Sequence, residues 1–259
     1  MWHITYIKQM IQDRNAPFTA RSVLASALLG ESPPELPVSH LVHLAGLFGI
    51  NENRARVALS RMTTAGEVTT DGSGRYRLAG HLLDRQGRQT GSRRGETRTW
   101  LGAWRMVVVT TSGQSADDRS VRRRRLTLAR LAEQREGVWL RPDNLDLRPD
   151  PADDPGVALY SGTPDGDPVT LAASLWDLDG WARMAGDLQA RMAARPPTGR
   201  RDLAPGFVLS AAVLRHLQAD PLLPVELVPA GWPGTVLREE YDRWDRQYRD
   251  VLRRWGRTA

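Results

Sequence analysis

Residues 51–66 read NENRARVALSRMTTAG. At about 100° per residue, Ala55, Ala58, Leu59, Met62 and Ala65 fall on one side of a helix. Asn53, Arg56, Val57, Ser60 and Thr64 fall opposite them, and Arg54 and Arg61 share one flank. Asn51 is a good N-cap, Glu52 sits at the positive helix end, and Gly66 is a stop signal. The spacing therefore predicts an amphipathic helix with one stripe for a core. The residues named opposite it and on the flank include arginine, asparagine, serine and threonine, with no acid among them, side chains suited to base edges in a DNA major groove.

Working outward, the same punctuation recurs. Thr19 can cap a helix over Ala20–Leu29 that Gly30 stops, and Ser39 can cap a second helix running through Leu47. Gly49-Ile50 makes a tight turn into the third helix. Beyond Gly66, Glu67–Thr70 and Arg75–Leu78 flank the turn Asp71-Gly72-Ser73-Gly74, which predicts a hairpin. Three helices, a tight turn between the second and third, and a hairpin form the order of a winged helix-turn-helix. The wing adds Arg75 and Arg77, with Tyr76 on its other face. Most basic helix faces merely solvate a surface, but helix order, turn, face and wing together favour nucleic-acid binding. A winged helix used only for protein contacts is the non-DNA alternative.

The rest of the chain predicts two further segments. Residues 81–99 hold Gly87, Gly91, Gly95 and four arginines (Arg85, Arg88, Arg93, Arg94), and read as a linker. Trp104–Thr111 (WRMVVVTT) reads as a buried strand, and Asp117–Glu136 as a helix stopped by Gly137. Val138-Trp139-Leu140 begins a second strand, and Val157–Tyr160 makes a third. Helices are expected over Asp177–Arg195, Pro205–Ala219 and Leu237–Trp255. The expected layout is an extension over 1–16, a winged helix over 17–80, the linker, a small α+β domain over 100–172 and a helical domain over 173–259.

Composition limits the chemistry. The 259 residues contain no cysteine, which excludes disulfides, thiolate metal sites and cysteine nucleophiles. Thirty-six basic residues against 30 acidic ones give +6, and Lys8 is the single lysine, so 36 − 1 = 35 of the cations are arginine. GC-rich codons account for that ratio; the net sign adds weak support for a polyanionic partner. No apolar run reaches membrane-span length, and Met1–Asn15 lacks the pattern of a signal peptide, so a cytoplasmic protein is expected. No Walker loop, GxGxxG, GxSxG or HExxH is present, and neither enzyme activity nor a cofactor is expected. His40 and His43 stand three apart without a third ligand in sequence, and read as structural rather than metal-binding. Asp165-Gly166-Asp167 and Asp177-Leu178-Asp179-Gly180 lack the glutamate of a calcium loop and read as turns and a cap. Arg122–Arg125 reads first as a solvated helix face, with a clamp for phosphates as its functional alternative.

Several runs resemble the PaaX-like family of bacterial transcriptional repressors. They are Arg54-Ala55-Arg56-Val57-Ala58-Leu59-Ser60-Arg61-Met62, Ala65-Gly66 and Arg75-Tyr76-Arg77-Leu78. Further on come Trp100-Leu101-Gly102-Ala103-Trp104, Asp220-Pro221-Leu222-Leu223-Pro224 and Trp232-Pro233-Gly234. The resemblance implies an α+β protein with an N-terminal winged helix-turn-helix, a ferredoxin-like middle domain and a helical C-terminal domain. It implies a homodimer on a double-stranded DNA operator, released by an acyl-coenzyme A thioester such as phenylacetyl-CoA. On this reading the DNA-binding residues are Asn53, Arg54, Arg56, Val57, Ser60, Arg61, Thr64, Arg75 and Arg77. Trp104, Arg105, Arg122, Arg123 and Trp139 are the candidate effector residues, with Trp100 and Trp181 as further aromatic candidates.

The middle domain is also similar to a small CRISPR-associated nuclease fold, which makes metal-dependent phosphodiester cleavage the rival reading. That chemistry needs a carboxylate near the end of the first strand. Here the strand ends Val109-Thr110-Thr111, with Asp117-Asp118 well downstream, so cleavage is not expected.

Overall fold

The computed structural model describes residues 19–256 except 112 and 114, so the expected extension over 1–16 lies outside the described residues. The protein is a mixed α+β chain with two small antiparallel sheets. It divides into two compact units. One comprises the described residues up to Arg88, with Pro197–Ala211 and the residues from Gln247 onward. The other comprises Gln89–Pro196 and Ala212–Arg246, so neither unit is the continuous stretch that the three-segment reading expected.

In the first unit the order is α1 (Ala20–Leu29), β1 (Glu35–Pro37), α2 (Val38–Gly46), α3 (Glu52–Thr64), β2 (Val68–Thr70) and β3 (Arg75–Leu78). Thr19 caps α1 as expected, its side chain accepting the Ser22 N–H. The start of α2 differs from expectation. The three-residue strand β1 runs straight into it through Pro37, and the Val38 N–H donates to the Gly74 carbonyl at 2.7 Å. That turn places the cap at Pro37 and leaves Ser39 inside the first turn. Strand β3 is central, with β1 and β2 antiparallel on either side. Val23, Leu24, Leu28, Leu41, Leu59, Met62 and Leu78 are buried together beneath the helices. Each such burial stabilises the fold by about 1.5–3 kcal/mol.

Residues expected as an open linker form a helix, α4 (Gly80–Arg94). Its interior glycines each cost up to about 1 kcal/mol relative to alanine, a propensity that tertiary contacts override. Leu82 is buried in the core, and the Gln86 amide donates to the Glu31 carbonyl at 2.8 Å. Gly80 begins this helix at φ +50, and a Cβ there would lie 2.8 Å from the Gly66 carbonyl oxygen. Helices α8 (Leu203–Gln218) and α9 (Gly234–Gly256) also contribute to this unit, packing Phe207 and Leu252 against its core. The Tyr248 hydroxyl donates to the Leu203 carbonyl at 2.9 Å.

The second unit is built on β4 (Trp104–Val109), α5 (Ala116–Leu128), β5 (Ala132–Arg135), β6 (Val138–Pro142) and β7 (Val157–Gly162). The expected helix over Asp117–Glu136 is shorter. Arg130 takes φ +61 just after α5, residues 132–135 pair with β6, and Gly137 at φ +77 turns the hairpin. All four strands are antiparallel in the order β5-β6-β4-β7, which is the ferredoxin-like order. The second crossover helix of that motif is reduced to the single 3-10 turn Pro151–Asp153. Val107, Leu126 and Trp139 are buried on one sheet face, and Trp104, Leu140 and Ala172 on the other. Ala172 belongs to α6 (Pro168–Leu175), which is followed by α7 (Leu178–Ala194). Among the described residues no helix is long and apolar enough to cross a membrane.

Candidate nucleic-acid interface

The core stripe of α3 is Ala55, Leu59 and Met62, all buried, with Ala58 half-buried; Ala65, expected in the core, is the exposed C-cap. Opposite it, Asn53, Arg56, Val57, Ser60 and Thr64 are all exposed, as are Arg54 and Arg61 on their flank. The Asn51 side chain accepts the Arg54 N–H at 2.9 Å, so the helix begins where the sequence reading places it. Val57 is 43% exposed, an apolar contact of the kind that meets a thymine methyl. The Thr64 hydroxyl donates back to the Ser60 carbonyl at 3.2 Å. Arg54 and Arg61 have no carboxylate partner among the described residues, whereas Arg56 Nε donates to Glu52 Oε1 at 2.7 Å.

The wing differs from expectation in its charge. Glu35 on β1 lies opposite Arg77 in the strand register and accepts hydrogen bonds from both Arg75 and Arg77. Those bonds, Arg75's first, hold the Glu35 carboxyl below the usual carboxylate range. Arg75 and Arg77 are therefore not two free cations. They are braced on one acid, with side chains 47% and 63% exposed, while Tyr76 packs against the core on the other face. A further clamp joins α1 to the base of the wing, where Arg21 donates to the nearly buried Glu67 carboxylate.

The candidate effector residues do not converge on one place, although Arg123 and Trp139 meet. Trp104 is buried on one face of the second sheet, while Trp139 lies on the other, in the cluster that holds Leu126 of α5. Arg105 pairs with Asp143, Arg122 with Asp154, and Arg125 with Asp153. Arg123 pairs with Glu133 and stands 5.9 Å over the Trp139 ring. The arginine run is thus largely consumed by ion pairs. Trp104 keeps different company: half-buried Trp100, Trp176 and Trp232 pack at its cluster, and Trp181 stacks on Trp232 at 4.6 Å. The Trp104 indole N–H is buried with no acceptor among the described residues.

His43 stacks on Trp255 at 3.8 Å, and burial holds its pKa below the ordinary value. The aspartates read as turns and caps do cap: Asp167 accepts the Val169 and Thr170 N–H groups, and Asp177 that of Gly180. Of Asp117 and Asp118, the acids that follow β4 in the nuclease comparison, Asp118 is engaged by the Ser115 hydroxyl at 2.7 Å in the first turn of α5. Sequence reasoning missed Glu35 and the bracing role of Glu52. Glu52 and Arg56 stand four apart, a spacing that announces a helical ion pair. Glu35 gave no comparable signal, because β1 is only three residues long.

Three helices with β1 between the first two, followed by β2 and by a β3 that pairs between β1 and β2, define the first unit as a winged helix. Its second and third helices are joined through Gly49 at φ +70. Residues 19–82 match the family described as PaaX-like protein. An uncharacterized protein of Mycobacterium tuberculosis, Rv0674, is 42% identical, with 90% of this chain and 97% of that one covered and a TM-score of 0.72. No curated protein matches the chain. The chain belongs to the PaaX-like family.

Proposed function

We propose that this protein is a cytoplasmic, non-enzymatic DNA-binding transcriptional regulator that docks α3 in the major groove. The observation that carries this reading is the uninterrupted exposed face from Asn53 to Thr64, fixed at its start by the Asn51 cap. In helix-turn-helix proteins the second helix of the pair lies in the major groove and its N-terminal residues meet base edges. Asn53 and Arg56 occupy those positions; Arg54 and Arg61 contact phosphates. A single such module buries little DNA surface, so a homodimer on two half-sites is the matching arrangement. Selection of bound fragments from sheared genomic DNA, followed by gel shift with competitor, tests the reading. Enrichment of a two-fold sequence is expected, and retention of no sequence over competitor overturns it.

Family membership supports a repressor released by an acyl-coenzyme A thioester, phenylacetyl-CoA being the first to test. An apolar acyl group carrying one carbonyl suits the buried, acceptor-free Trp104 N–H among its neighbouring tryptophans better than it suits the ion-paired arginines of α5. Titration of acyl-CoAs into the protein–operator complex should lower operator affinity, and an unchanged affinity across the panel rejects this part.

A further inference from the structure

Glu52 is the single acid in residues 51–66, on the helix assigned to the groove. A carboxylate facing phosphates weakens binding to any DNA sequence, so its place on this surface needs a reason. Its position in the first turn suits the helix dipole, yet that would serve equally with the side chain turned to solvent. Instead it engages one particular atom. Arg56 Nε donates to Glu52 Oε1 at 2.7 Å, one helical turn away. Arg54 and Arg61 on the flank have no such brace among the described residues.

The atom engaged decides what Arg56 can still do. A guanidinium can present two different pairs of N–H groups, the side edge through Nε or the end through Nη1 and Nη2. With Nε occupied, the end-on pair remains. Two parallel donors match the O6 and N7 acceptors of guanine in the major groove, whereas adenine offers one acceptor and one donor there. We infer that Glu52 is a positioning residue that commits Arg56 to guanine at one base pair of each half-site. This rests on the DNA-binding reading above and adds to it a named base and a named source of the preference.

The test is selection from a randomised duplex library by the full-length protein and by Arg56→Ala, Glu52→Ala and Glu52→Gln, with melting curves to verify folding. The wild type should prefer guanine at one position per half-site by about tenfold or more. Arg56→Ala should abolish that preference alone. Glu52→Ala should reduce it to about threefold or less while leaving the other positions unchanged. Glu52→Gln, whose amide oxygen still accepts from Nε, should retain most of it and bind all sequences more tightly through loss of a negative charge. A guanine preference unchanged in Glu52→Ala, with affinity raised uniformly at every position, would overturn the positioning role and leave DNA binding intact. So would a wild-type preference that Arg56→Ala does not alter. No enrichment by the wild type overturns both readings together.

Discussion

His43 and Trp255, near opposite ends of the described chain, stack ring on ring at 3.8 Å within the same compact unit. Helix α2, which precedes α3, is thus buttressed by the end of the last helix. Arg249 adds a second tie, donating to the Gly30 carbonyl at the end of α1. Trp255→Ala should destabilise this unit by about 2–3 kcal/mol in denaturant unfolding. Burial is the main cause that holds the His43 pKa down, so the same substitution should raise it toward 6.5, read by NMR titration.

The recognition surface should separate into two kinds of arginine. Arg56→Ala should cost about 1–3 kcal/mol on the preferred sequence and far less on random DNA. Arg54→Ala and Arg61→Ala should weaken both by similar factors, and each should reduce the salt dependence of log K by roughly one ion. Fluorescence anisotropy over a range of salt concentrations reads both quantities.

His216 gives the second unit a defined acid sensitivity. Burial is the largest influence and lowers its pKa to about 4, outweighing the Trp181 carbonyl that acts in the opposite direction. Above pH 6.5 neither the folded nor the unfolded chain protonates this ring, and it contributes nothing to the pH dependence. Between 6.5 and about 4 the unfolded chain takes up a proton that the folded chain refuses. Stability therefore falls as pH falls, by about 3 kcal/mol across the window. His216→Gln should flatten that slope in chemical denaturation measured from pH 7 to pH 4.

Arg141 should be among the most sensitive positions of the second unit. It is wholly buried, donates to the Pro142 and Arg130 carbonyls and to Asn144 Oδ1, and burial pulls its pKa down to about 9. Arg141→Ala strands the Arg130 carbonyl and Asn144 Oδ1, leaves the Pro142 carbonyl only its bond from the Asn144 N–H, and should cost about 3–5 kcal/mol in urea unfolding. Arg141→Lys should recover less than half, since an ammonium cannot reproduce the planar fork.

Helix α3 was legible because one local rule specifies it. The 3.6-residue period sorts Ala55, Leu59 and Met62 from Asn53, Arg56 and Ser60, and Asn51 marks the start. The parts that were not legible depend on partners distant in sequence. Glu35-Leu36-Pro37 has no strand signature of its own and becomes β1 only by pairing with Arg75–Arg77. Helix α4 contains Gly87 and Gly91 and forms against local propensity. Residues 132–135 continue the apparent helix of Asp117–Glu136 until Arg130 takes a left-handed backbone and the chain turns back onto β6. The arginine run of α5 read as a solvated face, with a phosphate clamp as the alternative, because its acids, Asp153 and Asp154, lie beyond two intervening strands.

Gly80 lies outside the face proposed to meet DNA, yet it sits against the carbonyl of Gly66, which follows α3. The chain leaving the wing passes so close to the Gly66 carbonyl that only a hydrogen atom fits between them. A methyl group at that crossing would act as a wedge under the heel of the reading helix, at a backbone angle that already disfavours any side chain. On the proposed DNA-binding reading, position 80 is therefore a lever on recognition that leaves every side chain of the exposed α3 face untouched. It offers a way to make a conditional regulator, one that keeps its reading surface but loses the bearing on which that surface turns.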